Sequence, residues 1–333
     1  MVDLNSIPPA ILAPLALIGA FTVLKFGASF CRMISSLFIL PGIPLKKFGS
    51  GSSYALITGA TDGIGLEFAH QLARSKFNLL LISRTQSRLD EIASTLQSQY
   101  NISVKVLAVD FSAPTSADWS SISSAISDLN ISILINNVGR SHSMPVPFAV
   151  TPADEMHDII EINCTSTLKL TQLVLPRLLA RGKKNPSLIL TIASFAGGVV
   201  PTPLLATYSG SKAFLTAWSQ ALSSELAANN ITVEVVHSYL VTSKLSKIRR
   251  PSLMIPPPKA FVKSVLGKIG RSGGAGSRVG VSTPYWSHGI MQWGIDLVGR
   301  DGAFVVDTNR KMHEDIRRRA LRKMERESGK KGM

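Results

Sequence analysis

A short apolar run, Tyr54-Ala-Leu-Ile-Thr58, is followed at once by Gly59-Ala-Thr-Asp62-Gly63-Ile64-Gly65 and then by the amphipathic stretch Glu67–Ser75. The order reads as strand, glycine loop, helix. Three glycines at this spacing let the backbone turn sharply and approach a pyrophosphate, which then rests on the N-terminus of the following helix. Glycine spacing alone says little, but here it follows a strand and opens a helix, the context that the motif requires. Thr58, Gly59, Asp62, Gly63, Ile64 and Gly65 are therefore candidate dinucleotide contacts.

The same alternation continues. Buried strands are expected at Asn78–Ser83, Val104–Asp110, Ile131–Asn136, Leu188–Ala193 and Thr232–Leu240. Helical patterns lie between them, including one long helix from Pro152 to Arg181. Strands spaced by helices predict an α/β fold, a Rossmann-like doubly wound parallel sheet with helices on both faces. Ligands of such sheets bind outside the carboxyl ends of the strands. Asp110 stands there to accept from an adenine amino group, and Asn136 and Asn137 to pin a loop and meet the adenosine ribose. The second strand ends in Ser83-Arg84, with no acid before Asp90. An NAD enzyme is expected to place an acid near there for the ribose 2′-hydroxyl. Arg84 instead offers a guanidinium fork to a 2′-phosphate, which favours NADPH.

Ser194 closes the fifth apolar run, and Tyr208 and Lys212 stand four residues apart. On one helix that spacing puts both side chains on one face. A tyrosine phenol titrates at about pH 10. A lysine ammonium beside it favours the phenolate and lowers that value. Ser194 can hydrogen-bond the oxygen that Tyr208 protonates.

Together, Thr58-Gly59-x-x-x-Gly63-Ile64-Gly65, Asn136-Asn137-Val138-Gly139, Asn163, Ser194 and Tyr208-x-x-x-Lys212 resemble the motif set of the short-chain dehydrogenase/reductase family, over residues 54–245. Finer features are TGATDGIG, NLLLISRTQSRL, NNVGRSHSMPVPF, SYLVTSKLSKIRRPSLMIPPPKAFVKSVL and TPYWSHGIMQW. With an apolar N-terminal segment, they resemble the membrane-bound very-long-chain 3-oxoacyl-CoA reductases of fatty-acid elongation, fungal ones above all, over almost the whole chain. The resemblance implies NADPH-dependent reduction of long- and very-long-chain 3-oxoacyl-CoA to 3-hydroxyacyl-CoA at the endoplasmic reticulum membrane, supplying sphingolipid and other lipid synthesis. It implies other elongation enzymes as partners and leaves a homo-oligomer open. Related vertebrate enzymes include 17β-hydroxysteroid dehydrogenases, so a steroid carbonyl is the alternative substrate.

Carried over residue by residue, the resemblance makes Tyr208 the general acid and Lys212 the group that lowers its pKa and binds the nicotinamide ribose. Ser194 orients the carbonyl, and Asn163 holds a water that links Lys212 to solvent. Val241, Thr242 and Ser243 match the segment that meets the nicotinamide amide, and Asp118 matches a cofactor contact of the subgroup, although it could simply start a helix. Two departures stand out. Val138 replaces an alanine, and His237-Ser238-Tyr239-Leu240 replace the usual Pro-Gly after the sixth strand. His142 and His237 read as loop and strand-end residues rather than catalytic ones.

Outside this region, Ile7–Leu24 is almost wholly apolar and the character resumes after Lys25 through Phe30, long enough for one spanning helix. Lys25, Arg32, Lys46 and Lys47 all follow it, which places the bulk of the protein in the cytosol. Residues 1–45 are thus read as anchor and juxtamembrane segment, 50–270 as catalytic domain, and 271–333 as linker, apolar segment and basic tail. A basic, proline-rich segment after Ser243 reads as a substrate lid suited to coenzyme A phosphates, and Leu253, Met254 and Ile255 as company for an acyl chain. Ser272–Ser282 reads as a flexible linker, Tyr285–Val298 as a membrane-interfacial segment, and Lys330-Lys331 as a dilysine retrieval signal. The net charge of +15 gathers in the tail and the juxtamembrane runs. No nucleic-acid module accompanies it, so nucleic-acid binding is not expected. Cys31 and Cys164 indicate neither a disulfide nor a metal site. Asn101, Asn130, Asn163 and Asn230 open Asn-x-Ser/Thr triplets that a cytosolic domain leaves unmodified.

Overall fold

A computed structural model describes residues 8–329. Along it run α1 (Pro9–Ile34), β1 (Tyr54–Thr58), α2 (Gly63–Arg74), β2 (Asn78–Ser83), α3 (Gln86–Tyr100) and β3 (Val104–Ala108). Next come α4 (Ser116–Ile126), β4 (Ile131–Asn136), α5 (Ala153–Ile160), α6 (Ser166–Ala180), β5 (Ser187–Ser194) and a short irregular turn, α7 (Phe195–Gly198). The remainder is α8 (Ala206–Leu226), β6 (Ile231–Ser238), α9 (Pro258–Gly267), β7 (Val281–Ser282), α10 (Trp286–Val298) and α11 (Ala303–Gly329).

The sheet order is β3-β2-β1-β4-β5-β6-β7 and all neighbours pair in parallel. Such strands are covered on both sides, which is why their sequences are unbroken apolar runs. All six residues of β4 are buried. On one face Phe68, Leu72, Phe77, Leu89 and Phe261 close over the sheet. On the other, Ile122, Ile126, Leu170, Val174 and Leu178 do so. The chain runs outward from β1 to β3 and then returns to start again at β4, so the crevice for a ligand opens between the carboxyl ends of β1 and β4.

Three expectations are revised. The helix expected from Pro152 to Arg181 is two helices joined by a π-helical turn, Glu161–Thr165, with Asn163 at its centre. Inserting one residue per turn redirects the helix face, and such turns gather at functional sites. Second, Ser272–Ser282 is not a flexible linker. It supplies the edge strand β7, and Gly273, at φ +57°, lies where any Cβ would collide with the Thr283 carbonyl. Gly273 and Gly274 serve close backbone approach rather than mobility. Third, the segment read as membrane-interfacial forms α10, one face of which packs on the body of the protein and buries Ser287, His288, Gly289 and Gln292.

Among the described residues, Pro9–Ile39 is the one helical stretch long and apolar enough to cross a membrane, and its most apolar part is not buried in the protein. Its last turn is anchored. Ser36 accepts from the Gly273 amide at 2.8 Å, and Lys268 and Arg271 donate to the carbonyls of Leu40 and Pro41. The Lys330-Lys331 pair lies outside the described residues.

Candidate active site

The glycine loop sits where the crevice opens. Gly59 and Gly63 have φ of +64° and +55°, the left-handed region that favours glycine. A side chain on Gly65 would collide with the Gly59 carbonyl and the Asn137 amide. The loop therefore leaves bare backbone facing the N-terminus of α2, a cradle that fits a pyrophosphate. Thr58 and Asn137 build this cradle without lining it. Thr58 Oγ1 accepts from the Asn137 and Val138 amides, both at 3.0 Å, and the Asn137 Nδ2 donates to the Thr58 and Gly59 carbonyls. Asp62 caps α2 by accepting from the Gly63 amide at 2.8 Å and pairs with Lys244 at 3.5 Å.

Other sequence-derived candidates separate at this level. Arg84 is exposed at the carboxyl end of β2, free to meet a 2′-phosphate. Asp110 is exposed and holds the turn after β3, accepting from the Ser112 amide and hydroxyl. Asn136 does not reach the crevice. It is buried and donates to Thr171 Oγ1 at 3.0 Å, because its place on the pleat of β4 turns it into the α6 side of the core. Asp118 is engaged in a local cap. Its carboxylate accepts from the Thr115 amide and hydroxyl while Thr115 Oγ1 accepts from the Asp118 amide, a capping box that starts α4. Those bonds hold its pKa below the usual carboxylate range.

Ser194, Tyr208, Lys212 and Asn163 come together. Ser194 ends β5 and accepts from the Ala196 amide at 3.2 Å. The next turn is pressed onto α8, for Gly197 has φ +80° and no room for a Cβ against the Ser209 carbonyl. This contact brings Ser194 near the Tyr208 phenol, close enough to pull its pKa down. Lys212, one turn along α8, is buried and donates to the Ile192 carbonyl at 3.0 Å. Its ammonium lies 5.7 Å from the Tyr208 ring centroid. Asn163 is fully buried, accepts from the Arg140 amide at 2.8 Å, and donates to the Arg140 carbonyl and Ser211 Oγ at 2.9 Å. Between Asn163 and Lys212 stands Gly139, where an added Cβ would lie 3.3 Å from Asn163 Oδ1 and 3.4 Å from Lys212 Nζ.

The electrostatics depart from the simple tyrosine–lysine expectation. Burial raises the Tyr208 pKa, and the influence pulling it down is the nearby Ser194 hydroxyl rather than Lys212. Burial also lowers Lys212 to about 8. His142 and His237 are both engaged within the fold. His142 bonds Glu155 at 2.7 Å, and His237 meets Thr216 at 3.1 Å with burial holding its pKa down to about 3.

The sequence places a substrate lid after Ser243 but announces neither what holds it nor a second cavity nearby in the chain. Val241, Thr242 and Ser243 lead into a segment that roofs the crevice: the Thr242 amide donates to the Pro256 carbonyl, Lys244 reaches Asp62, and Lys247 donates to the Ser143 carbonyl at 2.7 Å. The roof is then held from above by Ser287 and His288, a contact that nothing in the local sequence announces. A separate cavity of about 510 Å³ opens at the amino end of β6, among Ser223, Thr232, Glu234, Arg271 and Arg278, a strand's length from Tyr208.

Comparison with known proteins agrees with this geometry. The chain is 55% identical over 315 residues to a very-long-chain 3-oxoacyl-CoA reductase of Aspergillus terreus, covering 94% of this chain and 88% of that protein. It is 53% identical over 329 residues to the protein of the same name from Phaeosphaeria nodorum, covering 98% and 95%. Among solved structures, a short-chain dehydrogenase from Sphingobium yanoikuyae in complex with NADPH superposes with a TM-score of 0.59 at 26% identity, covering 75% of this chain and 97% of that one. The family model for short chain dehydrogenase matches residues 53–253. That span holds β1 to β6, the glycine cradle and the Asn163, Ser194, Tyr208 and Lys212 cluster, so the chain belongs to the short chain dehydrogenase family.

Proposed function

We infer that this protein reduces long- and very-long-chain 3-oxoacyl-CoA to 3-hydroxyacyl-CoA with NADPH, as the reductase of a membrane-bound fatty-acid elongation cycle. The observation that carries the reading is the gathering of Tyr208, its proton retained by burial, with Ser194, Lys212 and Asn163 at the carboxyl edge of β5, beside a glycine cradle that leaves only backbone for a pyrophosphate. The substrate class is supported by relatives named for it, which align through the roof and α10 as well as the core.

The chain's own residues divide the work. When bound, the dinucleotide supplies the hydride that adds to the carbonyl carbon. Tyr208, its proton retained by burial, protonates the carbonyl oxygen, a contribution of roughly 10²–10⁴-fold for general acids. Ser194 donates to the same oxygen and fixes its position. Lys212, near 8, is cationic at neutral pH and offers its charge to the ribose hydroxyls and a proton to the spent phenol. Asn163, beside Lys212 across the bare Gly139, connects that proton supply to solvent. Arg84 takes the 2′-phosphate, while Val241, Thr242 and Ser243 close on the nicotinamide amide.

Basic residues of the roof, among them Lys247, Arg249 and Arg250, face the coenzyme A phosphates. The apolar α1 holds the protein in the endoplasmic reticulum membrane with the catalytic domain cytosolic, near the other elongation enzymes. The test uses the full chain in lipid vesicles, supplied with NADPH and either a long-chain 3-oxoacyl-CoA or estrone. Rapid NADPH consumption with the acyl-CoA and little with the steroid is expected. The reverse preference would overturn the substrate assignment.

A further inference from the structure

The roof over the crevice, residues 244–257, ends in a tight turn in which Ser252 and Ile255 exchange backbone hydrogen bonds of 2.9 and 3.1 Å. Leu253 and Met254 occupy its tip, and Leu253 is 74% exposed. Their two carbonyls point at the first turn of α10. Ser287 Oγ donates to the Leu253 carbonyl at 2.8 Å, and His288 Nε2 lies 3.0 Å from the Met254 carbonyl. Two consecutive side chains of one helix thus grip two consecutive carbonyls of the roof.

His288 does more than add a bond. The Tyr239 amide donates to its Nδ1 at 3.3 Å, so Nδ1 must be the acceptor and Nε2 must carry the hydrogen given to Met254. The ring is fully buried and packs edge-on or tilted against Phe195, Tyr239, Phe261 and Tyr285. Phe195 directly follows Ser194, and Tyr239 directly follows β6. One imidazole therefore touches the turn that carries Ser194, the end of β6, and the roof. Burial depresses its pKa to about 4, which keeps it neutral and in this single tautomer at cellular pH.

The other end of α10 meets the apolar anchor. Trp293 Nε1 donates to Ser29 Oγ at 3.0 Å, and its ring packs on Phe26 and Phe30 at centroid distances of 5.5 and 5.4 Å. No reaction step employs His288, yet it is a fully buried polar ring with both nitrogens committed. A burial so complete is expected to matter through what those nitrogens hold.

We propose that His288 is a positioning residue of the reductase site, latching the roof segment 244–257 onto α10 so that the roof stands closed and in register over the acyl-CoA. Ser287 is the second point of the latch, and the anchor contact of Trp293 holds α10 itself in place. The catalytic part of this inference rests on the reductase reading above, whereas the latch itself can be tested without it.

Two measurements separate these parts, both on the full chain in lipid vesicles. The first is limited trypsin digestion, following cleavage after Lys244, Lys247 and Arg249 in the roof. His288→Phe keeps an aromatic ring among its neighbours but removes both hydrogen bonds, and should speed roof cleavage about tenfold, since the roof loses its Met254 bond and the buried Tyr239 amide loses its acceptor. His288→Gln, which returns a donor toward the Met254 carbonyl, should restore much of the protection. Ser287→Ala removes one bond and should give a smaller increase, and it decides the matter if His288→Phe does not fold. The second measurement is steady-state kinetics, in which His288→Phe should raise KM for the acyl-CoA about tenfold while the Kd for NADPH stays near wild type. Unchanged roof cleavage in a folded His288→Phe and in Ser287→Ala would overturn the latch. So would parallel losses of kcat, NADPH affinity and thermal stability in His288→Phe that His288→Gln fails to repair. A wild-type protein inactive on 3-oxoacyl-CoA would instead overturn the reductase reading, with the cleavage result still deciding the latch.

Discussion

The floor and the roof of the crevice are made differently. Along the floor, from Thr58 to Gly65, the contacts that matter are backbone groups, and side chains are either absent or turned away to brace the loop. Along the roof, from Ser243 to Pro257, side chains from remote elements do the holding: Asp62, Ser287 and His288 each reach in from elsewhere in the chain. A backbone site tolerates only a few residue types, so its residues can be read from a string of letters. A site assembled by distant side chains has no such signature.

The steepest contrast should come from the chemical edge of the floor. Tyr208→Phe keeps the ring and removes the acid, so turnover should fall roughly 10²–10⁴-fold while NADPH still binds. Near-normal turnover would remove Tyr208 from the reaction. Next in size is cofactor choice. Arg84→Ala should weaken NADPH about tenfold, as expected for losing charge-assisted bonds to a phosphate, and change NADH affinity little. Equal losses for both would reduce Arg84 to a solvated strand end.

The amino end of the sheet, away from both floor and roof, offers a pH test. Glu234 is buried on β6, accepting from Ser282 Oγ and the Gly270 amide, both at 2.6 Å, and burial raises its pKa to about 7. Its folded value lies above its ordinary 4.5, so the native state binds the proton more tightly. Glu234 therefore weighs against folding increasingly as pH rises from 4.5 to about 7, and fully above that. Glu234→Gln, which can satisfy the same partners, should match wild type in Tm near pH 4.5 and exceed it at pH 8. Equal Tm values at both pH values would mean that Glu234 ionises without cost. Smallest is the effect at α4. Asp118→Ala removes a cap and should lower Tm slightly while the Kd for NADPH holds within about twofold. A marked loss of NADPH affinity would return Asp118 to the cofactor site.

Legibility followed the same division. The parallel sheet, the glycine cradle and the Ser194, Tyr208 and Lys212 group were all readable, because buried strands must be apolar and the loop must be glycine. Asn136 and Asn137 are adjacent letters with opposite fates, and only the pleat of β4 decides which one meets the loop. The capping box at Thr115 and Asp118 is readable from its spacing. The π turn at Asn163 is not, since helix periodicity continues on both sides of a one-residue insertion. Ser272–Ser282 misled because glycine serves flexibility and close approach alike. Gly273 and Gly274 admit the Thr283 and Gly289 backbones, a fact that composition cannot carry.

The most direct test of the central claim follows the hydride. Wild-type protein in lipid vesicles would be given a long-chain 3-oxoacyl-CoA and NADPH deuterated at the transferable position of the nicotinamide, and the product analysed by mass spectrometry. The expected product is 3-hydroxyacyl-CoA carrying one deuterium on C3, formed far more slowly by Tyr208→Phe. An unreduced acyl-CoA, or a hydroxyacyl product without deuterium at C3, would contradict a reductase built on this cradle and this tyrosine.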